Sequence, residues 1–390
     1  MERDTPAAAA SAPHRHPIEF TATGSEYFRI WIVNLLLTLV TLGLYLPWAK
    51  VRKLQYFYRN TWVDGDALDF HGDPRKMLRG TLIAGAFLVA YSVGARFSGW
   101  AALLAALAFV GLWPALFRAA MRFRLANTSW RGLRFRFKGD TAGAYACMMP
   151  PLALALLPFA IMGLVVPAES GRPPAADPAA ARALAGSAVA MMLGMLAFFA
   201  ALPYFLLRIR RYQHGNYAFG DQQTRLDVDV GVLYGVFFKL IGVGMLGGLA
   251  VVAVGGILAF GRGAGMGFIG VAAVLMFSGI LVLNILQKSY LQVRLQNLIW
   301  SKTGNDALRF KSELRLAPYL WLQCKNYLLI FLTLGLYWPF AVVNTRRAQL
   351  QAVELRTRIG LDQITRTAER EDPGAVGDMA ADLFDFDIGM

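Results

Sequence analysis

Catalysis needs titratable groups that converge, and this sequence offers few of them. Its four histidines are His14 and His16 near the N-terminus, and His71 and His214 in short polar segments between apolar runs. No His-Glu-x-x-His pair exists, so two imidazoles and a general base do not share a helix face as in a zinc protease. There is no Gly-x-Ser-x-Gly nucleophile turn and no Gly-x4-Gly-Lys-Ser/Thr phosphate loop. The glycines at 261, 263 and 265 lack the strand–loop–helix context of a phosphate cradle. Cys147 and Cys324 stand in unrelated apolar surroundings and form neither a disulfide framework nor a zinc spacing. The sequence is read as that of a non-enzyme, with no catalytic residue, no cofactor and no metal site.

The polar residues inside apolar runs are the remaining candidates. Six middle runs hold no Asp or Glu in their interiors, which argues against a carboxylate proton relay. Lys239 sits near a run's end, where a lysine snorkels to the interface. Asn284 and Gln287, one turn apart, suit hydrogen bonding between helices. The more specific signal is a duplication at a constant offset of 292. Asn34, Thr41, Gly43, Tyr45 and Pro47 recur as Asn326, Thr333, Gly335, Tyr337 and Pro339. Shared hydrophobicity would match leucines, but it would not align Asn, Thr, Gly, Tyr and Pro. These ten residues are candidates for a ligand site or for breaks in two helices, whose freed backbone groups polar side chains re-satisfy. Arg134, Arg136 and Lys138 alternate with Phe135 and Phe137. Together with Arg52 and Lys53 they are candidate contacts for anionic lipid.

The elements that position these residues follow from composition. Of 390 residues, 56% are hydrophobic and 16% charged. The apolar ones fall into eight runs, at 28–48, 77–95, 100–117, 143–166, 183–207, 231–260, 264–287 and 318–341, each near the length that crosses a bilayer as helix. The segments 49–79, 118–142, 208–230 and 288–317 hold 24 Lys and Arg, whereas the other three connections hold four. That asymmetry places the first set in the cytoplasm and leaves 167–180 as the outer loop. The net charge of +14 is thus assigned to loops facing anionic lipid and not to nucleic acid. Residues 1–17 read as a disordered tail, 18–358 as the membrane domain, and 359–390 as an acidic, disordered tail in which Phe384 and Phe386 lie among aspartates. No signal peptide is visible at the N-terminus.

Short alternating segments end in Phe20, Phe70, Phe137, Val230 and Phe310 and read as strands. Aromatic-basic helix ends run into Asn60, Asn127, Asn216 and Asn297. The unit is a strand, an apolar excursion and a basic helix end, about five times over. The three middle excursions are long enough for two-helix hairpins. The outer two, if they crossed once, would leave Arg346, Arg347, Arg356 and Arg358 outside, against the charge rule. The expectation is therefore an all-α polytopic membrane bundle of six full spans, two outer segments broken at Gly43/Pro47 and Gly335/Pro339, and small cytoplasmic β elements. Eight spans is the alternative. With about seven residues between Gly43 and Lys50, the return limb must be extended or the entry shallow.

The block from Phe20 through Gly24 to Phe28 and the two Thr-Leu-Gly-Leu-Tyr-x-Pro motifs resemble the YjgN-like, or DUF898, family of bacterial inner-membrane proteins. So do the basic aromatic stretch Lys50 to Phe57 and the strand ends at Gly72 and Gly139, over roughly residues 18–358. The resemblance implies an inner-membrane location and no activity. Two functions stay open: transport or lipid handling at a site between the duplicated breaks, or a non-catalytic scaffold recruiting protein partners, or a second copy, through its cytoplasmic face.

Overall fold

The computed structural model describes residues 14–97, 99–165, 178–260, 266–358 and 360–370. The outer loop at 167–180 (all but its last three residues), the glycine-rich connection at 261–265 and the tail from 371 lie outside them.

The chain makes five excursions from one set of strands. β1 (His14–Phe20) leads into α1 (Gly24–Val40) and α2 (Leu46–Arg59), and β2 (Thr61–Val63) brings it back. The second runs through β3 (Asp66–Phe70), α3 (Pro74–Phe97), α4 (Gly99–Ala126) and β4 (Thr128–Trp130). The third runs through β5 (Leu133–Arg134), β6 (Arg136–Phe137), α5 (Thr141–Val165), α6 (Pro178–His214) and β7 (Tyr217–Phe219). The fourth uses β8 (Gln222–Gln223), β9 (Arg225–Leu226), α7 (Val230–Phe260), α8 (Met266–Ser301) and β10 (Thr303–Gly304). The fifth uses β11 (Leu308–Ser312), α9 (Leu316–Leu332), α10 (Trp338–Gln351) and β12 (Val353–Thr357), and α11 (Leu361–Arg370) follows.

All strand pairs are antiparallel, in the order β5-β4-β3-β2-β1-β12-β11-β10-β9 in one sheet and β6-β7-β8 in a second. The two sheets are one ring. β5 and β6 are halves of one extended segment interrupted at Phe135, whose N–H still donates to Thr128 O at 3.0 Å. β8 and β9 are likewise halves of one segment, and Thr224 N–H between them donates to Tyr217 O at 2.9 Å. A closed barrel has no free edge. Two of its hairpins turn through residue pairs with positive φ, Asp64 (52°) with Gly65 (80°) and Arg131 (50°) with Gly132 (78°), the geometry that matches strand twist.

Between barrel and helices runs a collar of buried side chains, one cluster per excursion. Phe20 packs with Tyr27 and Val343, Phe70 with Val51 and Phe123, Phe137 with Phe117 and Tyr212, Leu226 with Leu207 and Ile299, and Leu314 with Val293 and Tyr319. Above it, among the described residues, five helices are long and apolar enough to cross a membrane: Pro74–Arg96, Leu104–Ala126, Leu184–His214, Val230–Leu258 and Gly270–Ser301, with a shorter apolar stretch at Thr141–Leu157. Their apolar side chains point outward, Ile257 at 72% and Phe277 at 71% exposure, an arrangement that lipid favours and water does not.

Several expectations change against this frame. His14 to Pro17, expected in the N-terminal tail, pair with Thr357 to Glu354, because the ring needs them to close. Leu361–Arg370, expected in the disordered C-terminal tail, is helical, because Leu361 and Ile364 find an apolar seat in the barrel mouth. Asn60, Asn127 and Asn216 end their helices alike, each Nδ2 donating to the carbonyl four residues back at 2.7–2.9 Å. Asn297 does not match them. It grips Leu314 O and N, and Lys302 precedes the strand in that excursion. The alternation expected to reach Val230 stops at Leu226, and Val230 opens α7.

Candidate functional site

The duplicated residues build two matching helix–turn–helix hairpins. Leu42 and Gly43 have φ of 51° and 92°, and Leu334 and Gly335 have 49° and 94°. At each turn the glycine fills a left-handed position that strains other residues. Thr41 Oγ1 accepts from Tyr45 N at 3.0 Å, and Thr333 Oγ1 from Tyr337 N at 3.0 Å. Pro47 and Pro339 sit, buried, in the first turn of the second limb, where no N–H is needed. Asn34 Nδ2 donates to Ala49 O at 3.4 Å, and Asn326 Nδ2 to Ala341 O at 3.4 Å, so each asparagine clasps limb to limb. Tyr45 OH accepts from Arg52 at 3.2 Å, and Tyr337 OH from Asn344 at 3.3 Å. The return limbs are helical, not extended, and the tips carry Leu42 and Leu334, both 94% exposed. The hydrogen bonds of these residues stay within their own hairpins, and Asn34 Oδ1 and Asn326 Oδ1 are buried without a partner among the described residues. Of the basic candidates, Arg134, Arg136 and Lys138 face outward from the barrel, while Phe135 turns into the lumen and Phe137 into the collar. Lys53 lies on the exposed side of α2.

The barrel encloses what sequence reasoning missed, a chamber of about 570 Å³. Its upper wall is the last turns of the returning helices. Counting back from the first strand residues Thr61, Thr128, Tyr217, Thr303 and Val353, the positions seven, four and three places earlier form one helical face. Seven back, Met121, Arg210, Gln296 and Arg346 line the chamber; four back, Arg124, Gln213, Ile299 and Gln349 do; three back, Tyr58, Leu125, His214, Trp300 and Leu350 do. The strands below contribute Trp130, Phe135, Phe219 and Phe310, and Leu361 and Ile364 of α11 meet them at the mouth. Among the described residues, none lining the chamber is acidic.

The electrostatics are one-sided. The Nε atoms of Arg124 and Arg210 are buried without a hydrogen-bond partner among the described residues, although Arg210 Nη1 donates to Gln213 Oε1 at 2.8 Å. Burial, and then the charge of Arg124, pulls the Arg346 pKa below its ordinary value. Burial pushes the Tyr217 phenol up to about 12 against the opposing charges of Arg210 and Arg124. His214 is enclosed, with Nδ1 3.2 Å from Thr303 Oγ1 and its ring edge-on to Trp300.

Two other clusters lie outside the chamber. Arg131 donates to Asp64 Oδ2 at 2.9 Å, Asp66 Oδ2 at 2.5 Å and Asp362 Oδ1 at 2.8 Å, which ties α11 to the barrel rim. On the outer face His71 Nε2 is 2.8 Å from Ser129 Oγ, and His71 Nδ1 is 4.0 Å from Asp69 Oδ2. The order of groups resembles a nucleophile relay. Ser129, however, is only 5% exposed, the His–Asp separation is too long for a hydrogen bond, and Asp69 is engaged by Arg59 at 2.9 Å. Among the described residues no group of three His, Cys, Asp or Glu could hold a metal ion.

The comparisons with known proteins agree with a membrane protein. The "Inner membrane protein YjgN" of Salmonella typhimurium (strain LT2) is 27% identical over 365 residues, covering 84% of this chain and 85% of that one. The protein of the same name in Escherichia coli O157:H7 is 32% identical over 136 residues, 33% of each chain. No solved structure matches. A family model described as "Bacterial protein of unknown function (DUF898)" matches residues 15–383, and the chain belongs to that family.

Proposed function

We propose that this chain is a multi-pass inner-membrane protein that takes up a small organic ligand in its barrel chamber, for transport or lipid handling at the cytoplasmic interface. The observation that carries the reading is the chamber inside the ring of strands. Its volume falls in the range of small-molecule sites, and it combines an aromatic wall with a few convergent polar groups. The proposal moves the ligand away from the duplicated breaks, where the asparagine Nδ2 groups donate within their own hairpins.

The topology supports a cytoplasmic barrel. β1 pairs with β2, and β11 with β12, so each outer excursion leaves and re-enters one barrel and crosses the membrane an even number of times. In this reading the outer hairpins dip into the bilayer and return. Their helices of 17 and 14 residues reach about 25 Å or less, against about 45 Å or more for α7 and α8 with 31 and 36. The three inner hairpins then give six spans. The 24 basic residues of the barrel-side segments face the cytoplasm, where Arg52, Lys53, Arg134, Arg136 and Lys138 meet anionic lipid.

Two measurements test this. Reporters fused to either end of the chain are expected to be active in the cytoplasm, and periplasmic activity at one end sinks the topology. Native mass spectrometry of the protein in its own lipids is expected to show a stoichiometric small molecule. A bare protein shifts the reading to the scaffold, with the outward basic face as its partner surface.

A further inference from the structure

The cationic end of the chamber is the least compensated feature of the fold. Arg124, Arg210 and Arg346 come from the last turns of α4, α6 and α10 and line one chamber with Gln213, Gln296 and Gln349. Among the described residues, three guanidinium groups are gathered where no acid lines the wall, and two of their Nε donors are buried without a partner. Like charges gathered without a counter-charge repel one another, so a fold that assembles three guanidinium groups around one chamber, two of them with a buried and unpartnered Nε, is arranged for an anion. Arginine rather than lysine suits an oxyanion with several oxygens, since each planar fork donates two parallel hydrogen bonds. A carboxylate offers one negative charge to three cations. A phosphate monoester offers close to two, with three oxygens that can be met from three directions. Below the arginines the wall turns aromatic, with Trp130, Phe135, Trp300 and Phe310.

We propose that the chamber binds an amphipathic phosphate monoester, its phosphoryl group held by Arg124, Arg210 and Arg346 and its apolar part against the aromatic wall. The inference rests on the chamber reading above and specifies its ligand. Two sources offer this chemistry: a lipid phosphate entering from the bilayer, or a water-soluble aromatic phosphate entering from the barrel mouth.

The test uses the full chain in nanodiscs of phosphatidylcholine, with binding followed by calorimetry. The probes are dodecyl phosphate, phenyl phosphate and dodecanol. Binding of either phosphate at least about tenfold tighter than dodecanol is the expected result, and the tighter of the two identifies the source. Arg124→Gln and Arg346→Gln are each expected to weaken phosphate binding about ten- to a hundredfold, the effect of losing a hydrogen bond to a charged group. Arg225→Gln, an exposed arginine of β9 that does not line the chamber, is expected to leave it unchanged. A second readout separates a ligand role from a structural one. Without phosphate the Arg124 and Arg346 variants should melt no lower than the parent, since they relieve uncompensated charge; a marked drop overturns the proposal. An arylazide derivative of phenyl phosphate should label the lumen ends of α4, α6 or α10. If dodecanol binds in the chamber as tightly as the phosphates, the phosphate inference fails and the chamber reading stands. If no probe binds and no label reaches the lumen, both fail.

Discussion

Replacing Ile364 by alanine is expected to open the barrel mouth. Ile364 is 2% exposed and packs with Leu361, Trp130 and Phe219, next to Leu355 and Val63. α11 spans ten residues, too few for an isolated helix to persist in water, so its order depends on this seat. The other tie is the Arg131–Asp362 ion pair, whose acid is 83% exposed and which is worth under about 1 kcal/mol. Truncating a buried isoleucine to alanine costs about 2–5 kcal/mol, and each 1.4 kcal/mol is tenfold in a population. Amide exchange in α11 should therefore accelerate by about thirtyfold or more in Ile364→Ala. In Asp362→Asn it should accelerate less than about fivefold. Hydrogen exchange read by mass spectrometry on the detergent-solubilised protein measures both. Unchanged protection in Ile364→Ala, or a larger effect from Asp362→Asn, would show that α11 is not held by its apolar face.

The outer hairpins make further predictions. Gly43→Ala and Gly335→Ala force a side chain into φ near +92° and +94° and should each cost about 1–2 kcal/mol in thermal unfolding. Gly248→Ala, in a helix with nothing near the added carbon, should be close to neutral. Asn326→Leu removes hydrogen bonds to Ala341 O and Thr345 Oγ1 and should destabilise by about 1–2 kcal/mol while leaving ligand binding in the chamber unaltered. Lost binding at intact stability would return the site to the breaks. Within α7 and α8, an added carbon at Gly244 meets the Gln287 side chain and one at Gly247 meets Leu283. Gly247→Leu should therefore lower the melting temperature without changing the oligomeric state seen by light scattering.

Much of this fold was legible because lipid imposes simple constraints. Long apolar runs, a basic bias on one side, and the paired Gly and Pro of the outer segments each have one physical meaning at membrane depth. The strands ending in Phe20, Phe70 and Phe137 were legible by alternation, as was the one through Phe310, which runs on to Ser312. Their partners were not. β4, β7 and β10 are two or three residues long, and such runs carry no period. Closure of the ring depends on His14 to Pro17 meeting Glu354 to Thr357 across almost the whole chain, a register no local pattern announces. α11 was hidden by composition, because its polar face resembles the acidic tail that follows, and only the three-residue spacing of Leu361 and Ile364 marks its apolar side. The chamber was hidden for a related reason: its arginines sit in basic helix ends that anchoring to lipid explains equally well.

The sequence points to a site where it copies itself, and in the structure the copied residues hydrogen-bond within their own hairpins. Thr61, Thr128 and Thr303 open their strands by bonding the carbonyl four residues back at 2.7–2.8 Å, and the duplicated asparagines clasp their hairpins at matching carbonyls. Such positions recur because each excursion must meet the same geometric demand. The lumen makes the opposite demand. At each of two helix positions four excursions present a side chain to a shared space, while Leu54 and Phe57 of the first pack in the collar, and a ligand that is not symmetric needs these side chains to differ. Seven places before the strand the chain holds Leu54, Met121, Arg210, Gln296 and Arg346, and four places before it Phe57, Arg124, Gln213, Ile299 and Gln349. Arginine occurs three times among these ten positions and an acid not once. In a ring built from similar units, the chemistry belongs where the units disagree, and that disagreement converges on one cationic end of one chamber.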